Sequence, residues 1–283
     1  MLTLVSWNIQ YGKGVDGRID LSRMAEVIHQ DGLPDVLCLQ EVSRNDPDTA
    51  NGSDQVKELQ ILFPDYEIYY GAAHDRCGGK NGGRRQFGNL VLTRQSPVQV
   101  LHHLLPSPAD STAKFMSRQA TEMVIQTSSG VFRMMSTHLE FFSEKQQLAQ
   151  VQRIREFHEE ACTQFNEPGI DLPNTPFERV ERSERMVICG DFNFIPDSPS
   201  FRLFTTPFSE DIPDLVEAWS AVYPGTARSP TCGIFDHKQW KKGPHCRDYF
   251  FLSQNLAQQI RKISVNTETD VSDHQPIRLI LEV

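Results

Sequence analysis

The sequence predicts one α/β domain built on two packed β-sheets, with helices covering at least one sheet face. Three observations carry this expectation. The chain has 283 residues, enough for a large α/β domain whose core needs neither disulfide nor metal staples. Short β-rich runs recur from end to end, in greater number than an ordinary open sheet holds. No linker or repeat interrupts them, so residues 1–283 read as a single domain.

The elements follow in order from local pattern. Residues 2–9 form the first strand-like run. Leu21, Met24, Ala25, Val27 and Ile28 then make an apolar stripe that predicts a helix over 20–30, and with the next run, 35–42, the order is that of a βαβ crossover. Further strands are predicted over 66–73, 89–93, 98–103, 120–127 and 131–139. Ser143-x-x-Gln146 reads as a capping box ahead of Leu148, Val151, Ile154 and Phe157, so a helix follows it. Residues 166–185, with three prolines and alternating charge, predict a surface insertion. The last strands are expected over 186–192, 248–252, 260–266 and 276–283.

Composition narrows the function classes. With 39% hydrophobic and 23% charged residues, disordered, collagen-like and coiled-coil readings fail. The balance of 37 acidic to 28 basic residues, net −9, disfavours a protein that coats nucleic acid through a basic surface, and leaves room for a local basic site. The N-terminus lacks a charged leader region and soon reaches polar Asn8 and Gln10, and no apolar run has the length of a membrane span. A cytoplasmic protein without a membrane span is therefore expected. The six cysteines form no CxxC pair, which predicts reduced thiols and no structural zinc, with Cys38 and Cys189 as core residues.

Several apolar runs end abruptly in polar groups: Val5-Ser6-Trp7-Asn8, Leu39-Gln40-Glu41, Ser136-Thr137-His138 and Cys189-Gly190-Asp191-Phe192-Asn193, while Ser272-Asp273-His274 precedes the last strand. Strand ends hold their backbones rigid and present side chains at an open edge, which suits chemistry. Singly, Glu41 reads as a surface charge, Asp191 as a turn former beside Gly190, and His138 as a satisfied core histidine. Together they form an oxygen-rich set with few sulfurs, suited to Mg²⁺ or Mn²⁺ rather than zinc.

The ordered set Trp7-Asn8-Ile9, Gln40-Glu41, Gly88-Asn89-Leu90-Val91-Leu92-Thr93-Arg94, Thr137-His138-Leu139, Gly190-Asp191-Phe192-Asn193, Asp248-Tyr249-Phe250 and Ser272-Asp273-His274-x-Pro276 resembles the endonuclease/exonuclease/phosphatase superfamily over the whole chain. The resemblance implies a DNase I-like four-layer α/β sandwich of two mixed sheets flanked by helices, with one divalent-metal phosphoesterase site at the sheet edges. It implies Glu41 as the principal metal carboxylate, Asn8 and Asp273 completing or supporting that site, and Asp191 with Asn193 holding the attacking water beside the metal. His274 would contact the phosphoryl group with its ring oriented by Asp248, His138 would be a second phosphate donor, and Arg118 would lie near the substrate phosphate. These types suit hydrolysis of a phosphoester, which builds negative charge on equatorial oxygens and on the leaving group.

Departures bear on substrate. The apurinic/apyrimidinic endonucleases commonly place an aromatic residue and an arginine shortly before the aspartate of the DYF motif, where this chain has His245, Cys246 and Arg247, and Gln10 fits their first motif only loosely. An abasic-site function is weakened accordingly. Two basic loops flank site motifs. Residues 75–85, which include Arg84, Arg85 and four glycines, predict a mobile segment, and residues 236–245 carry Lys241, Lys242 and an exposed-looking Trp240. They read either as a grip on a phosphate-rich ligand or as solvated surface.

The expected function is therefore a metal-dependent phosphoesterase, hydrolysing a phosphodiester or phosphomonoester by attack of an activated water. A small molecule or lipid head group is the preferred substrate class. A DNA or RNA nuclease is the alternative, with Trp240 stacking on a base and the loops gripping a backbone. A non-catalytic binding protein on a phosphoesterase fold is the second alternative.

Overall fold

The computed structural model describes residues 1–283 and places them in two six-stranded mixed sheets flanked by helices. The first sheet has the order β11 (Ile260–Val265), β12 (Ile277–Leu281), β1 (Leu2–Asn8), β2 (Val36–Arg44), β4 (Arg85–Thr93), β3 (Glu67–Arg76). The second runs β5 (Gln99–Leu104), β6 (Gln119–Thr127), β7 (Gly130–His138), β8 (Met186–Asp191), β10 (Asp248–Ser253), β9 (Leu215–Glu217). Two neighbouring pairs are parallel, β1 with β2 and β7 with β8. The helices α1 (Leu21–Gln30) and α3 (Glu144–Asn166) lie within these two crossovers.

The anticipated βαβ unit is therefore present, and Asp20 caps α1 by accepting from the Ser22 amide. At α3 only half of the capping box forms. Ser143 Oγ accepts from the Gln146 amide at 3.2 Å, but the Gln146 side chain donates to the Pro108 carbonyl at 3.0 Å instead of returning to Ser143. The sequence pattern misses β9 and the helices α2 (Gln55–Leu62), α4 (Pro199–Phe204), α5 (Ala218–Val222) and α6 (Gln254–Ala257), which are too short to establish a period. Residues 167–185 carry no regular secondary structure, and Ile170 and Phe177 in this segment are exposed, as an insertion would be. All six cysteines are free, with Cys38 and Cys189 buried, and no helix is long and apolar enough to cross a membrane.

Three apolar layers hold the four structural layers together. Leu4, Val36, Cys38 and Val91 of the first sheet meet Met123, Phe132, Met134, Cys189 and Phe250 of the second in a central core. Val5, Trp7, Leu37 and Leu39 pack outward against Leu21, Met24 and Ile28 of α1 and Leu59 of α2. Met135, Ile188, Tyr249 and Phe251 pack outward against Val151, Ile154 and Phe157 of α3 and Phe201 and Phe204 of α4. Each central strand thus feeds alternate residues to two different cores, which is why these runs read as almost continuously apolar.

Candidate active site

Strand parity builds the site. Leu2 and Leu4 of β1, Phe132 and Met134 of β7, Val187 and Cys189 of β8, and Phe250 and Leu252 of β10 all point into the central core. Continuing the two-residue period brings Asn8, His138, Asp191 and Asp248 onto the same inner faces at one sheet edge. His138 and Asp191 are register partners, as are Asp191 and Asp248. Glu41 breaks the parity, because Val36 and Cys38 face inward and Gln40 follows them, donating to Ser6 Oγ and Ser136 Oγ. A register shift between Leu39 and Val42 and a positive φ of 60° at Glu41 turn its side chain into the site. Gly190, at φ 143°, is required for a different reason: a Cβ there would collide with the Thr137 carbonyl and push β7 from β8 just where His138 and Asp191 meet.

The polar groups form one connected cluster. Asn8 Nδ2 donates to Glu41 Oε1 at 3.0 Å and to Asp191 Oδ2 at 2.9 Å. The Asn193 amide donates to Asp191 Oδ1 at 2.9 Å. His274 Nδ1 lies 2.8 Å from Asp248 Oδ2, and its Nε2 lies 3.7 Å from Asp191 Oδ2. Ligand atoms of Asp191, Asp248 and His274 all fall within 4.8 Å of one another. Asp273 receives Gln239 Nε2 at 3.0 Å.

Charge within the cluster is uneven. Burial and the nearby Asp273 push the Glu41 carboxyl up to about 7, and burial pushes Asp248 up to about 6 against the pull of His274. Burial also raises Asp273. Asp191 goes the other way: burial alone would raise it, but the His274 imidazolium and hydrogen bonds from Asn8 and the Asn193 amide hold it below the usual carboxylate range. For His274, the penalty of burial is overcome by Asp248, Asp191 and Asp273, which keep the imidazolium. Burial and the Arg118 guanidinium hold His138 neutral.

His138 Nε2 lies 2.9 Å from Asn193 Nδ2 and 3.4 Å from Asp191 Oδ2, beside the carboxylate at the centre of the cluster. Arg118 stands at the same cavity: its Nε binds the buried Glu140 carboxylate at 3.4 Å, and its buried Nη1 has no partner.

Three buried carboxylates, Asp191, Asp248 and Asp273, and the half-buried Glu41 thus share one space with a single imidazolium, and Asp248 Oδ1 is buried without a partner. An all-oxygen set with excess negative charge and raised carboxyl pKa values fits a hard divalent cation.

A cavity of about 420 Å³ opens on this cluster, lined by Glu41, His138, Asp191, Asn193, Asp273 and His274, together with Arg118 and Trp240. Trp240 is not exposed, as its loop suggested: it is 6% exposed and packs edge-on against Phe141, His245 and His274. The other loop cations stand outside the cavity lining. Arg84 is paired with Asp75 at 2.5 Å and Arg85 with Asp48 at 3.1 Å, while Lys241 and Lys242 are exposed. Within residues 75–85, the Lys80 and Gly79 amides donate to the Asn45 and Gly83 carbonyls.

Sequence reasoning missed several neighbours. Thr231 Oγ1 donates to Asp248 Oδ2 at 2.6 Å and receives the Arg247 and Asp248 amides, fixing the carboxylate that orients His274. Gln239, Glu140, Phe141 and Phe142 were missed as well. Glu140 to Phe142 directly follow the Thr137-His138-Leu139 motif, a proximity that could have flagged them; Thr231 has no local signal.

Comparison with known proteins places the family and the fold. The profile of the Endonuclease/Exonuclease/phosphatase family matches residues 5–274. The chain is similar to an exodeoxyribonuclease of Bacillus subtilis, 21% identical with both chains covered fully. Among solved structures it is similar to a mannosyl-6-phosphatase of Bacteroides thetaiotaomicron, with TM-score 0.68, 17% identity and full coverage of both chains. A truncated TDP2 of Caenorhabditis elegans superposes with TM-score 0.61 and 20% identity, over 98% of this chain and 96% of that one.

Proposed function

The chain belongs to the endonuclease/exonuclease/phosphatase family, and from that premise we propose that it is a divalent-metal-dependent phosphoesterase that hydrolyses a phosphodiester or phosphomonoester by attack of an activated water. The observation that carries this reading is geometric: Asn8 bridges Glu41 and Asp191, Asp248 holds His274 beside Asp191, and Glu41, Asp191, Asp273, His274 and Arg118 face one cavity, where the Asp191 carboxyl is held down while burial raises Glu41 and Asp273. Glu41 and Asp273, with Asn8 beside them, would hold Mg²⁺ or Mn²⁺, which supplies charge neutralisation at the phosphoryl oxygens.

The remaining roles belong to side chains. Asp191 aligns and deprotonates the water, and the Asn193 amide holds the other oxygen of that carboxylate in place. His274, protonated and fixed through Nδ1 by Asp248, donates its Nε2–H to the phosphoryl group. Arg118, anchored by Glu140, offers its free Nη1 to the same charge. Thr231 is a positioning residue for Asp248.

A small molecule or lipid head group is the preferred substrate class, because the cations that could grip a polynucleotide stand outside the cavity lining. A nuclease is the second reading, favoured by the similarity to the B. subtilis exodeoxyribonuclease. The six free thiols fit a reducing cytoplasm.

The test is a metal-supplemented screen of the purified protein against phosphomonoesters, phosphodiesters, phosphoinositides, and abasic, single-stranded and duplex DNA. Hydrolysis should vanish with EDTA and return with Mg²⁺ or Mn²⁺. Full activity in chelator overturns the metal assignment, and a rate on oligonucleotide that falls steeply with salt favours the nuclease. Metal binding without turnover on any class leaves a binding protein.

A further inference from the structure

Beside the carboxylates, the cavity has a wall with no counterpart in the chemistry above: Phe87, Met116, Phe141, Phe142 and Trp240. Phe141 and Phe142 are 40% and 54% exposed at its rim. Exposing two phenylalanines is unfavourable unless something covers them. We propose that this wall is a specificity site for a planar aromatic group carried by the phosphoester, with Phe141 and Phe142 as its stacking residues. The proposal rests on the phosphoesterase reading for its orientation toward the phosphate, but the wall itself can be tested by binding alone.

The two rings are held, not trailing. Glu140 Oε1 accepts the Phe142 amide at 2.8 Å, Gln150 Oε1 accepts the Glu140 amide at 2.8 Å, and Gln147 Nε2 donates to the Glu140 carbonyl at 2.7 Å. The rings meet edge-to-face, Phe141 with Phe142 at 4.9 Å and 82° and Phe141 with Trp240 at 5.8 Å and 78°, so they form an angled wall rather than a closed stack. Each also carries a cation over its ring, Arg247 at 4.9 Å from Phe141 and Lys114 at 5.2 Å from Phe142. A cation on one face draws π-density toward it and leaves the opposite face a better partner for an electron-rich planar ring. An acyl chain or the C–H face of a sugar would also cover apolar area on these rings, but neither has a π-face of its own to use their angled, cation-backed geometry.

The experiment uses non-hydrolysable phosphonates and the matching esters. With Mg²⁺ present, calorimetry compares 2-phenylethylphosphonate with 2-methoxyethylphosphonate on wild type, Phe141→Ala and Phe142→Ala. The phenyl ligand should bind about 3- to 10-fold tighter, the range of one aromatic contact. Each alanine variant should erase most of that preference while leaving the methoxy ligand unchanged, and Phe142→Tyr should retain it. Thymidine 5′-phosphonate, as a third arm, tells a nucleobase from a simple aryl group. Equal binding of the phenyl and methoxy ligands by wild type, or a preference that survives both alanine variants, overturns the proposal. Preferential binding of the phenyl ligand by a protein that hydrolyses no phosphomonoester, phosphodiester or DNA of the substrate screen supports the wall and sinks the phosphoesterase reading instead.

Discussion

The second sheet carries two buried charged clusters, one at its inner edge and one on its outer face, and they are built on opposite principles. The outer one lies beneath α3. Arg133, fully buried, binds Glu122 at 3.2 Å, His158 Nδ1 at 2.8 Å and the Ser183 carbonyl at 2.7 Å. Glu122 also meets His103 at 2.9 Å. Burial would raise Glu122, but the His103 hydrogen bond and the Arg133 guanidinium hold it down at about 2. Burial and the same guanidinium bring His158 down to about 4. Its one carboxylate is more than matched, since Arg182 also lies 3.8 Å from Glu122, so no acid there is left in surplus. At the inner edge the same residue types are left with surplus carboxylates and raised pKa values. Buried charge that is balanced is architecture, and buried charge left in excess marks a place for a cation and a substrate.

Substitutions should separate the two clusters cleanly. Arg133→Met leaves Glu122 without its main cation and should cost about 3–5 kcal/mol in denaturant melts, with activity per folded molecule unchanged. Arg133→Met/Glu122→Gln should recover part of that loss. If Arg133→Met melts like wild type, the outer cluster is not what holds α3 to the sheet. Asp191→Asn should do the reverse, lowering kcat by about 10²-fold or more with KM changed less, at a smaller cost in stability, because the ionised carboxylate is favoured by His274 and the Asn8 amide. A comparable loss of stability in Asp191→Asn would erase the distinction.

How much of this is legible in the sequence depends on distance along the chain. The site residues that end apolar runs, Asn8, His138 and Asp191, announce themselves because strand parity and the run boundary are local, whereas Asp248 opens its strand and is marked only by the Asp248-Tyr249-Phe250 motif. The bulge that turns Glu41 inward is not local, since it depends on register against β4. Trp240 looked exposed because its neighbours are lysines, and only the fold brings Phe141, His245 and His274 around it. Arg84 and Arg85 looked free because Asp75 and Asp48 pair with them across a hairpin and from a neighbouring loop. The outer cluster was invisible for a related reason: Arg133 alternates within an apolar strand, and its partners come from β6 and α3.

The two clusters should also respond to pH with opposite sign in chelator. Glu122 is held below its ordinary value near 4.5 and His158 below its value near 6.5, so the stability they contribute is present above those values. It is lost as pH falls from 6.5 toward 4 and then toward 2. Glu41, raised to about 7, contributes stability that is full below 4.5 and is lost as pH rises through 7. Thermal melts of wild type and Glu41→Gln between pH 4 and 8 should therefore diverge in favour of the variant as pH rises from 4.5 to 7, and saturating Mg²⁺ should close the gap from the wild-type side. A difference that is constant with pH would mean that Glu41 is not an uncompensated charge.

The smallest effects belong to charges in neither cluster. Arg84→Gln/Arg85→Gln removes two exposed or half-buried ion pairs, each worth about 0–1 kcal/mol, and neither guanidinium lines the cavity, so KM should not move for any phosphoester. Lys241→Gln/Lys242→Gln removes two exposed cations that follow Trp240 in the chain, and its effect should be limited to a long polyanion, appearing as a flatter salt dependence with kcat unchanged. A small neutral-tailed phosphodiester supplies the control. If the arginine pair raised KM for that compound, Asp75 and Asp48 would have to release their partners during binding, and surface charge outside both clusters would belong to the site after all.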